Sequence, residues 1–459
     1  MPKRNLIWIV AVVAASLVTL LVTRRPPRIE DRVVVEFDPV TEAYRQIREH
    51  YLYPVDESEL RLEAIASMVA NLDEYSSYIP PDRAKAFAQR MKGVVRGLGL
   101  KVEVADGHVT VIGPLVNSPA QRAGPVRGDR ILQIDGQDVA GLSQRQVERL
   151  LDAPKESTVR LLVRRPSGEI ETLRCTRGTY RVESVLGLYR QSDGRWAHMI
   201  DPNAGIAYVR VREILPDTPE HLRGTFRQLN RIRVLVLDLR GDPGGDLPAA
   251  VELCDMLLPD GRIVTLTNRR GESEHRDAQS HGTISREIHV VVLVNGKTAS
   301  AAEIIAGSLA VHDRAVLVGR RTLGKGCIQS MIPLGGDLGQ INLTTAEFFV
   351  EPNRPIQRRP DSNTWGVDPH VEVGLPAATQ SRLARLRVGA EVLPPSRPAT
   401  RPATQPAGRD DDPAVELLRL DAQLRRAVAL ARTPRRIDDI LRRAAAARTR
   451  PAARADTKP

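Results

Sequence analysis

The sequence is poor in aromatic residues and in cysteine. Phe, Trp and Tyr make up 3% of the 459 residues, so the hydrophobic core must consist mainly of Val, Ile, Leu and Ala. The three cysteines, Cys175, Cys254 and Cys327, are far apart and include no CxxC pair. This spacing disfavours a zinc site and a disulfide framework, and it favours buried free thiols.

Motifs for metal, nucleotide and histidine chemistry are also missing from the sequence. Neither HExxH nor GxxxxGK[ST] nor GxGxxG occurs, and no histidine lies in a recognisable catalytic pattern. We therefore expect neither a metal site nor any other cofactor.

Positive charge is concentrated near the C-terminus. The net charge is +11, and the segment from Ser381 onward, with 18 Arg/Lys and 9 Asp/Glu, carries +9 of it, which leaves +2 for the remainder. No basic recognition helix and no mixture of aromatic and basic residues occurs, so we expect no nucleic-acid partner. A chain of this length is expected to form two or three domains.

One long apolar run occurs, near the N-terminus. Residues 6–22 carry no charge, and Lys and Arg residues flank them on both sides. These 17 residues are few for a bilayer span but exceed the hydrophobic region of a usual signal peptide. We predict a signal anchor, a transmembrane helix with a basic flank, in residues 1–28; a cleaved signal peptide is the alternative.

The rest of the chain divides into four regions by its pattern. Helical periodicity predicts an N-terminal helical region over residues 35–92, and short alternating apolar runs predict a β-rich domain over residues 93–176. Alternating strands and helices predict an α/β core over residues 180–376, with apolar strands covered on both faces. Residues 377–459 are expected to form a linker, a helix and a basic disordered tail. Predicted details are a helix break at Pro80-Pro81, a helix at 143–151, core strands at 206–211, 234–239, 263–266, 289–294 and 315–318, a helix at 413–432, and disorder over 442–459.

The first candidate for chemistry is Ser300. An apolar strand leads into Asn295-Gly296, then into small residues around Ser300, and then into a predicted helix. A serine at such a turn lies near free backbone N–H groups that can bind an oxyanion. A helix cap is the alternative role for the same serine.

The second candidate is Lys325, which lies between Gly324 and Gly326. Because its neighbours lack side chains, this segment can approach another backbone closely. Burial lowers the pKa of a lysine, and the neutral amine can then accept a proton from a serine. A solvated surface charge is the alternative.

The third candidate is a glycine-rich turn, residues 238–245, which we call the glycine turn. It follows an apolar strand and precedes a predicted helix. Backbone amides in such a turn can line an anion site.

Together these segments resemble the carboxyl-terminal processing peptidases, or tail-specific proteases, over residues 35–375. The resemblance implies a ClpP/crotonase-like α/β protease core with an inserted PDZ domain. It also implies that Ser300 is the nucleophile, that Lys325 is its general base, and that Gln329 positions the lysine. The 25 residues from Ser300 to Lys325 match the spacing in that family.

The glycine turn resembles the segment of the family that forms the oxyanion hole. The resemblance implies that the backbone amides of Gly245 and Ala301 stabilise the oxyanion. Asp242 replaces an asparagine of the family pattern, which would place a negative charge near the developing one.

Residues 93–176 resemble the PDZ domain of the family. The segment Arg96-Gly97-Leu98-Gly99-Leu100 matches the loop whose amides bind a terminal carboxylate. The resemblance implies that Gly97, Leu98, Gly99 and Leu100 hold the C-terminus of the substrate while the substrate adds a strand to the sheet.

The resemblance implies a serine endopeptidase that recognises substrate C-termini and cleaves through an acyl-enzyme. Its partners would be proteins or peptides with free C-termini, the membrane through residues 1–28, and a homo-oligomer or an activating adaptor. Its catalytic body would lie in the bacterial periplasm or cell envelope, anchored to the membrane or released after signal cleavage. The alternatives are a non-catalytic PDZ scaffold and an acyl-CoA enzyme of the crotonase type.

Overall fold

The computed structural model describes residues 29–152, 158–191, 193–229, 231–279, 284–350, 354–392 and 413–449. The chain separates into two compact units, which divide between Asn71 and Leu72. The helices are α1 Ile29–His50, α2 Glu57–Ala70, α3 Pro81–Met91, α4 Pro119–Ala123, α5 Gln144–Leu151, α6 Thr218–Gln228, α7 Leu247–Asp255, α8 Ala301–Val311, α9 Ala377–Glu391, α10 Pro413–Leu420, α11 Ala422–Ala431 and α12 Pro434–Thr449.

The strands belong to three larger sheets and two small ones. They are β1 Ser77–Ile79, β2 Val94–Gly97, β3 Leu100–Ala105, β4 His108–Pro114, β5 Arg130–Ile134, β6 Gln137–Asp138, β7 Thr158–Arg164, β8 Ile170–Thr176, β9 Gly178–Arg181, β10 Val185–Leu186, β11 Tyr189–Arg190, β12 Trp196–Ala197, β13 Met199–Asp201, β14 Ile206–Val211, β15 Val234–Asp238, β16 Arg262–Asn268, β17 Ser273–Asp277, β18 His289–Val294, β19 Ala315–Gly319, β20 Cys327–Pro333, β21 Gln340–Phe349 and β22 Val371–Glu372.

The described part of the first unit contains the helices α1 and α2. The Asp56 side chain caps α2 by accepting hydrogen bonds from the N–H groups of Ser58 and Glu59. The helical prediction for this stretch is confirmed.

The predicted helix break at Pro80-Pro81 is confirmed, because no described helix runs through the pair and α3 begins at Pro81. Pro81 is the first residue of α3, a position where the missing N–H costs no hydrogen bond. The residues before it form β1, which pairs antiparallel with β21.

The central sheet has seven strands and is covered on both faces, as predicted. Its order is β10-β14-β15-β18-β19-β22, with β13 also paired to β14, and the five strands from β14 to β22 run parallel. One face packs against α6, α7 and α8. The other face packs against α9 and the three C-terminal helices. All five residues of β15 are buried, which explains its unbroken apolar run.

A second sheet is antiparallel, with the order β1-β21-β16-β17 and with β20 paired to β21. The strand predicted at residues 263–266 is present as β16, but it belongs to this sheet. Its buried residues Ile263 and Val264 pack into the core beneath α7 and α8. The second sheet adjoins the Lys325 segment, because its strand β20 begins two residues after Lys325.

The β-rich domain contains a six-stranded antiparallel sheet, with the order β3-β4-β5-β7-β8 and with β6 paired to β5. Its core contains Leu98, Ile131, Val147 and Leu161. The predicted helix at 143–151 is confirmed as α5. The chain enters this domain through β2 and leaves it through β9, and these two strands pair with each other.

The C-terminal region differs most from the prediction. The helix predicted at 413–432 is divided at Asp421, whose side chain caps α11. The predicted disorder is wrong over residues 442–449, which belong to α12. The apolar residues Ile437, Ile440 and Leu441 lie at helical spacing and pack on the central sheet, although arginines surround them in sequence. The helix α9 was not predicted.

Two further predictions concern membrane insertion and cysteine chemistry. Within the described ranges, no helix combines the length and apolarity needed to cross a bilayer. The signal anchor was predicted in residues 1–28, which lie outside those ranges. All three cysteines are buried and free, as expected.

Candidate active site

Ser300 lies at the N-terminus of α8, directly after the loop that follows β18. Its backbone has φ 54° and ψ −124°, a conformation that non-glycine residues rarely adopt. Its N–H donates to Oε2 of Glu303 at 2.9 Å. Such local strain needs support from the surroundings, and it is common at functional sites.

A single buried carboxylate joins the Ser300 and Lys325 segments. Glu303 is fully buried, and its Oε2 accepts hydrogen bonds from the backbone N–H groups of Ser300 and Lys325, the latter at 2.8 Å. Its Oε1 accepts from the Gly324 N–H at 2.8 Å and from the Thr322 hydroxyl at 2.5 Å. Burial raises the pKa of Glu303, and these four donors oppose that effect.

Glu303 was not predicted from the sequence to belong to the site. The signal was present, because Ser300 and Glu303 form the Ser-x-x-Glu pattern of a helix capping box. That pattern predicts the contact with Ser300 but gives no indication of the contact with the Lys325 segment.

Lys325 lies on a tightly packed loop, as its flanking glycines suggested. A Cβ atom on Gly326 would lie 2.3 Å from the Gln357 nitrogen, so no other residue fits there. The Lys325 amine lies 4.9 Å from the centre of the Tyr75 ring. Burial raises the pKa of Tyr75 to about 12, so the ring is neutral at physiological pH. The contacts of the described residues include no hydrogen bond between the Lys325 amine and the Ser300 hydroxyl.

Gln329 lies on β20, next to an irregularity in the pairing of β20 with β21. Its Nε2 donates to Cys327 Sγ and to Thr344 Oγ1, each at 3.2 Å. Both of these contacts lie within the second sheet, to which Gln329 itself belongs. The role of Gln329 in positioning Lys325 stays a prediction.

The glycine turn packs directly against the Ser300 segment. A Cβ atom on Gly244 would lie 2.9 Å from Ser300 Cβ and 2.8 Å from the Ala301 nitrogen. The Gly244 carbonyl accepts from Ile214 N–H, and the Asp246 N–H donates to the Ile214 carbonyl. Only a residue without a side chain permits this approach.

Two backbone amides beside Ser300 have no acceptor. In the part of the chain that the structure describes, neither the Gly245 N–H nor the Ala301 N–H donates a hydrogen bond. Ala301 is the first residue of α8, where an N–H has no partner within the helix. These are the two groups predicted to form the oxyanion hole, and they are available to bind a ligand oxygen.

Asp242 lies within the same turn and is fully buried. Its Oδ1 accepts the Gly244 N–H at 2.8 Å, and its backbone carbonyl accepts the Ala299 N–H at 2.9 Å. Its Oδ2 is buried without a hydrogen-bond partner. Burial raises the pKa of Asp242 well above its usual value, which favours the neutral acid. This shift opposes the negative charge that the sequence suggested at Asp242.

The strand that leads into the glycine turn ends in a buried ionic network, the Arg240 network. The Arg240 guanidinium pairs with Asp238 and with Asp421, in each case at 2.7 Å. Arg387 and the Tyr208 hydroxyl also donate to Asp238, at 3.0 and 2.7 Å. The network ties the C-terminal helices to the strand end that precedes Gly245.

The loop predicted to bind a carboxylate, residues 97–100, also carries free amides. In the described ranges, the N–H groups of Leu98 and Gly99 have no acceptor, whereas their carbonyls accept from Ala120 and Leu115, each at 2.8 Å. A Cβ atom on Gly99 would lie 2.4 Å from Ser118 Cβ, and φ there is +65°. Two N–H groups held in this way form a site for an anionic oxygen.

Comparison with known proteins places these features in a family. The family model for Peptidase family S41 matches residues 205–373, and the model for the PDZ domain matches residues 110–165. The chain is 30% identical over 321 residues to the carboxy-terminal-processing protease of Bartonella bacilliformis, covering 68% of this chain and 71% of that protein. It is 29% identical over 383 residues to the carboxy-terminal processing protease CtpA of Bacillus subtilis, covering 82% and 78% of the two chains. A solved photosystem II D1 C-terminal processing protease matches with 27% identity and a TM-score of 0.42, covering 77% of this chain and 97% of that one.

The two matched ranges place the PDZ domain before the protease segment that contains Ser300 and Lys325. The chain therefore belongs to peptidase family S41, and it is a serine protease of the carboxy-terminal processing type.

Proposed function

We propose that Ser300 and Lys325 form the catalytic dyad of an endopeptidase. The observation that carries this proposal is the Glu303 carboxylate, which accepts the backbone N–H groups of both residues. One buried group thus fixes the relative position of the nucleophile and the base, as a preorganised site requires.

The reaction follows from the chemistry of the two groups. The Lys325 amine accepts the Ser300 hydroxyl proton while the serine oxygen attacks the peptide carbonyl. The oxyanion forms beside the free amides of Gly245 and Ala301. The lysine then protonates the leaving amine. A water molecule next loses a proton to the lysine as it attacks the acyl-enzyme, and the lysine returns that proton to the Ser300 oxygen as the acid is released.

The contact between Lys325 and Tyr75 bears on the first step. A cation over an aromatic face is stabilised, so the observed contact holds the Lys325 side chain against the ring. Proton transfer requires the amine to leave the ring and reach Ser300. We propose that bound substrate promotes this movement by excluding water from the site.

The substrate is proposed to enter through its C-terminus. The free N–H groups of Leu98 and Gly99 support binding of a terminal carboxylate, and β3 is an edge strand to which a peptide can add. The proposed substrates are therefore proteins with an accessible, extended C-terminal segment.

We further propose that residues 1–28 anchor the chain in a membrane, with the catalytic body in the bacterial periplasm or envelope. The uncharged run at residues 6–22, flanked by basic residues, supports this proposal. Alkaline extraction of membranes from cells that make the full chain tests it. Release into the soluble fraction, with a new N-terminus beyond residue 22, would favour a cleaved signal peptide.

The proposed dyad is tested by cleavage of an unstructured protein. Ser300→Ala and Lys325→Ala should each lower kcat/KM by about 10⁴-fold or more, because the groups of a catalytic unit act together. The matched control is Ser308→Ala, a buried serine on the same helix, which should retain activity. Full activity in either dyad variant would exclude that residue from the mechanism.

Tail recognition is tested with the same substrate carrying a C-terminal amide. Removal of the terminal carboxylate should raise KM or Kd, because the two loop amides lose their anionic partner. Equal values for the free and the amidated substrate would contradict the proposed role of residues 97–100.

A further inference from the structure

The edge of β3 that faces α5 is occupied by the side chain of Gln144. In the described sheet β3 pairs only with β4, so no strand pairs with the backbone groups on its other side. The Val104 N–H and the Val102 carbonyl are two of these groups, since neither can pair with β4 while bonded on the opposite side. Both are hydrogen-bonded to the side chain of Gln144.

Gln144 occupies this edge in the manner of a peptide group. Its Oε1 accepts the Val104 N–H at 3.0 Å, and its Nε2 donates to the Val102 carbonyl at 3.1 Å. An added strand offers the same pair of groups, a carbonyl and an N–H, to the same edge. The side-chain amide therefore competes with the backbone of a substrate for identical hydrogen bonds.

The Gln144 side chain is held in place from two directions. Its second amide hydrogen is used by Glu148, one turn along α5, with Nε2 and Oε1 separated by 2.8 Å. The start of α5 is fixed by a capping box in which Gln146 accepts the Ser143 N–H at 2.9 Å. Release of Gln144 would leave three hydrogen bonds to be replaced.

The position of this contact defines how far a strand can extend. The loop of residues 97–100 lies at the start of β3, and Val102 lies only two residues beyond that loop. At about 3.3 Å per residue, about three residues of a substrate fit between the loop and the contact with Gln144.

We infer that Gln144 is a specificity-determining residue that limits strand addition to about the last three residues of a substrate. Residues further from the C-terminus leave the edge of β3, so the PDZ domain selects a short terminal signature and accepts varied sequence upstream of it. This inference rests on the proposed binding of substrate C-termini to residues 97–100, and it adds the length of the segment that is recognised.

The test measures peptide binding to the full chain carrying Ser300→Ala, which prevents cleavage. The probes are fluorescein-labelled tripeptides and hexapeptides that share their last three residues and end in Ala, Val or Leu. Without a further change, the two lengths should bind with Kd values within about twofold of each other, because Gln144 withholds the additional hydrogen bonds. With Gln144→Ala added, the hexapeptide should bind about tenfold more tightly than the tripeptide, through two or more new backbone hydrogen bonds.

Two further variants keep the result interpretable. Gln144→Glu retains the side-chain length but cannot donate to the Val102 carbonyl, and its charge faces Glu148; it should show part of the gain with length. Arg145→Ala changes an exposed neighbour on the same helix and should show none. Hydrogen exchange of the Val104 amide in the absence of peptide should be faster in Gln144→Ala and unchanged in Arg145→Ala.

The outcomes separate this inference from the proposed function. If peptides with a free carboxylate bind better than amidated ones, but length has the same effect with and without Gln144→Ala, the limit set by Gln144 is wrong and tail recognition stands. A tenfold gain with length while Gln144 is intact would equally overturn the limit. If no peptide with a free carboxylate binds better than its amide, tail recognition fails and this inference fails with it.

Discussion

The glycine turn contains two buried aspartates, Asp238 and Asp242, and their surroundings differ completely. Asp238, at the end of β15, has two arginines and a tyrosine hydroxyl around its oxygens. Asp242, four residues later, has one backbone donor on Oδ1 and no partner on Oδ2. Both side chains are fully buried.

This difference gives the two carboxyl groups opposite protonation preferences. Burial by itself raises the pKa of Asp238, but the charges of Arg240 and Arg387 hold that pKa below its usual value. At Asp242 burial raises the pKa with little compensation. The ion-pair and hydrogen-bond partners of each carboxyl group, rather than its burial, therefore decide which protonation state is favoured. The end of β15 is thus anchored by ion pairs, whereas the surroundings of Asp242 favour its neutral form.

The largest expected effect comes from breaking the Arg240 network at its distant partner. Asp421→Ala leaves Arg240 buried with one carboxylate fewer, which should lower the free energy of unfolding by about 3–5 kcal/mol. Urea unfolding followed by circular dichroism measures the loss. The matched control is Asp439→Ala on α12, an exposed ion-pair partner of Arg442, which should cost less than about 1 kcal/mol. Similar losses in the two variants would show that the network is not an anchor.

A second variant tests a carboxylate whose donors are all uncharged. Glu303→Gln turns one acceptor oxygen into a donor that faces backbone N–H groups, so it should destabilise the fold by about 1–3 kcal/mol. Because these N–H groups belong to the Ser300 and Lys325 segments, kcat should fall about 100-fold, and KM should change much less. Steady-state kinetics at a temperature where the variant is fully folded separate the two effects. A variant with normal kcat would remove Glu303 from the positioning of the dyad.

The smallest effect concerns Asp242 and appears as a pH dependence. Because the folded-state pKa is raised, the native protein keeps a proton that the unfolded chain releases above a pH of about 4. The contribution is fully present below that pH, and stability falls as the pH rises from about 4 toward the folded-state pKa. The slope of this loss is at most about 1.4 kcal/mol per pH unit.

Asp242→Asn removes this titration and keeps the shape of the side chain. Its free energy of unfolding, relative to the unmodified protein, should therefore increase as the pH rises from 5 to 8. Urea unfolding at several pH values measures the difference. A difference that is constant with pH would mean that Asp242 is ionised in the native state, and the contrast with Asp238 would then disappear.

Much of the architecture could be predicted because it is local in the sequence. The unbroken apolar runs of β15 and β18 predicted strands covered on both faces, and the resemblance of the segments around Ser300 and Lys325 indicated the protease family. What could not be predicted depends on contacts between distant residues. Asp421 meets Arg240 across 181 residues, and nothing near either residue indicates the other.

The other differences have the same physical origin. The arginine-rich composition of α12 suggested disorder, but three apolar residues at helical spacing suffice once a sheet face is available to cover. The contact between Gln144 and β3 joins a helix to a strand edge, so the hydrophobic periodicity of neither element predicts it. Glu303 makes one contact of each kind. Its capping contact with Ser300 is local in the sequence, whereas its contact with the Lys325 segment joins distant residues.

The central claim, that Ser300 attacks the substrate and Lys325 is its base, is tested most directly by trapping the covalent intermediate. The full chain is mixed with an activated peptide ester, quenched in acid within milliseconds to seconds, digested and analysed by mass spectrometry. We predict an acyl group on Ser300, formed rapidly in the unmodified protein and at least about 1000-fold more slowly in Lys325→Ala. An acyl group on any other residue, or equal rates of acylation in the two proteins, would contradict the account.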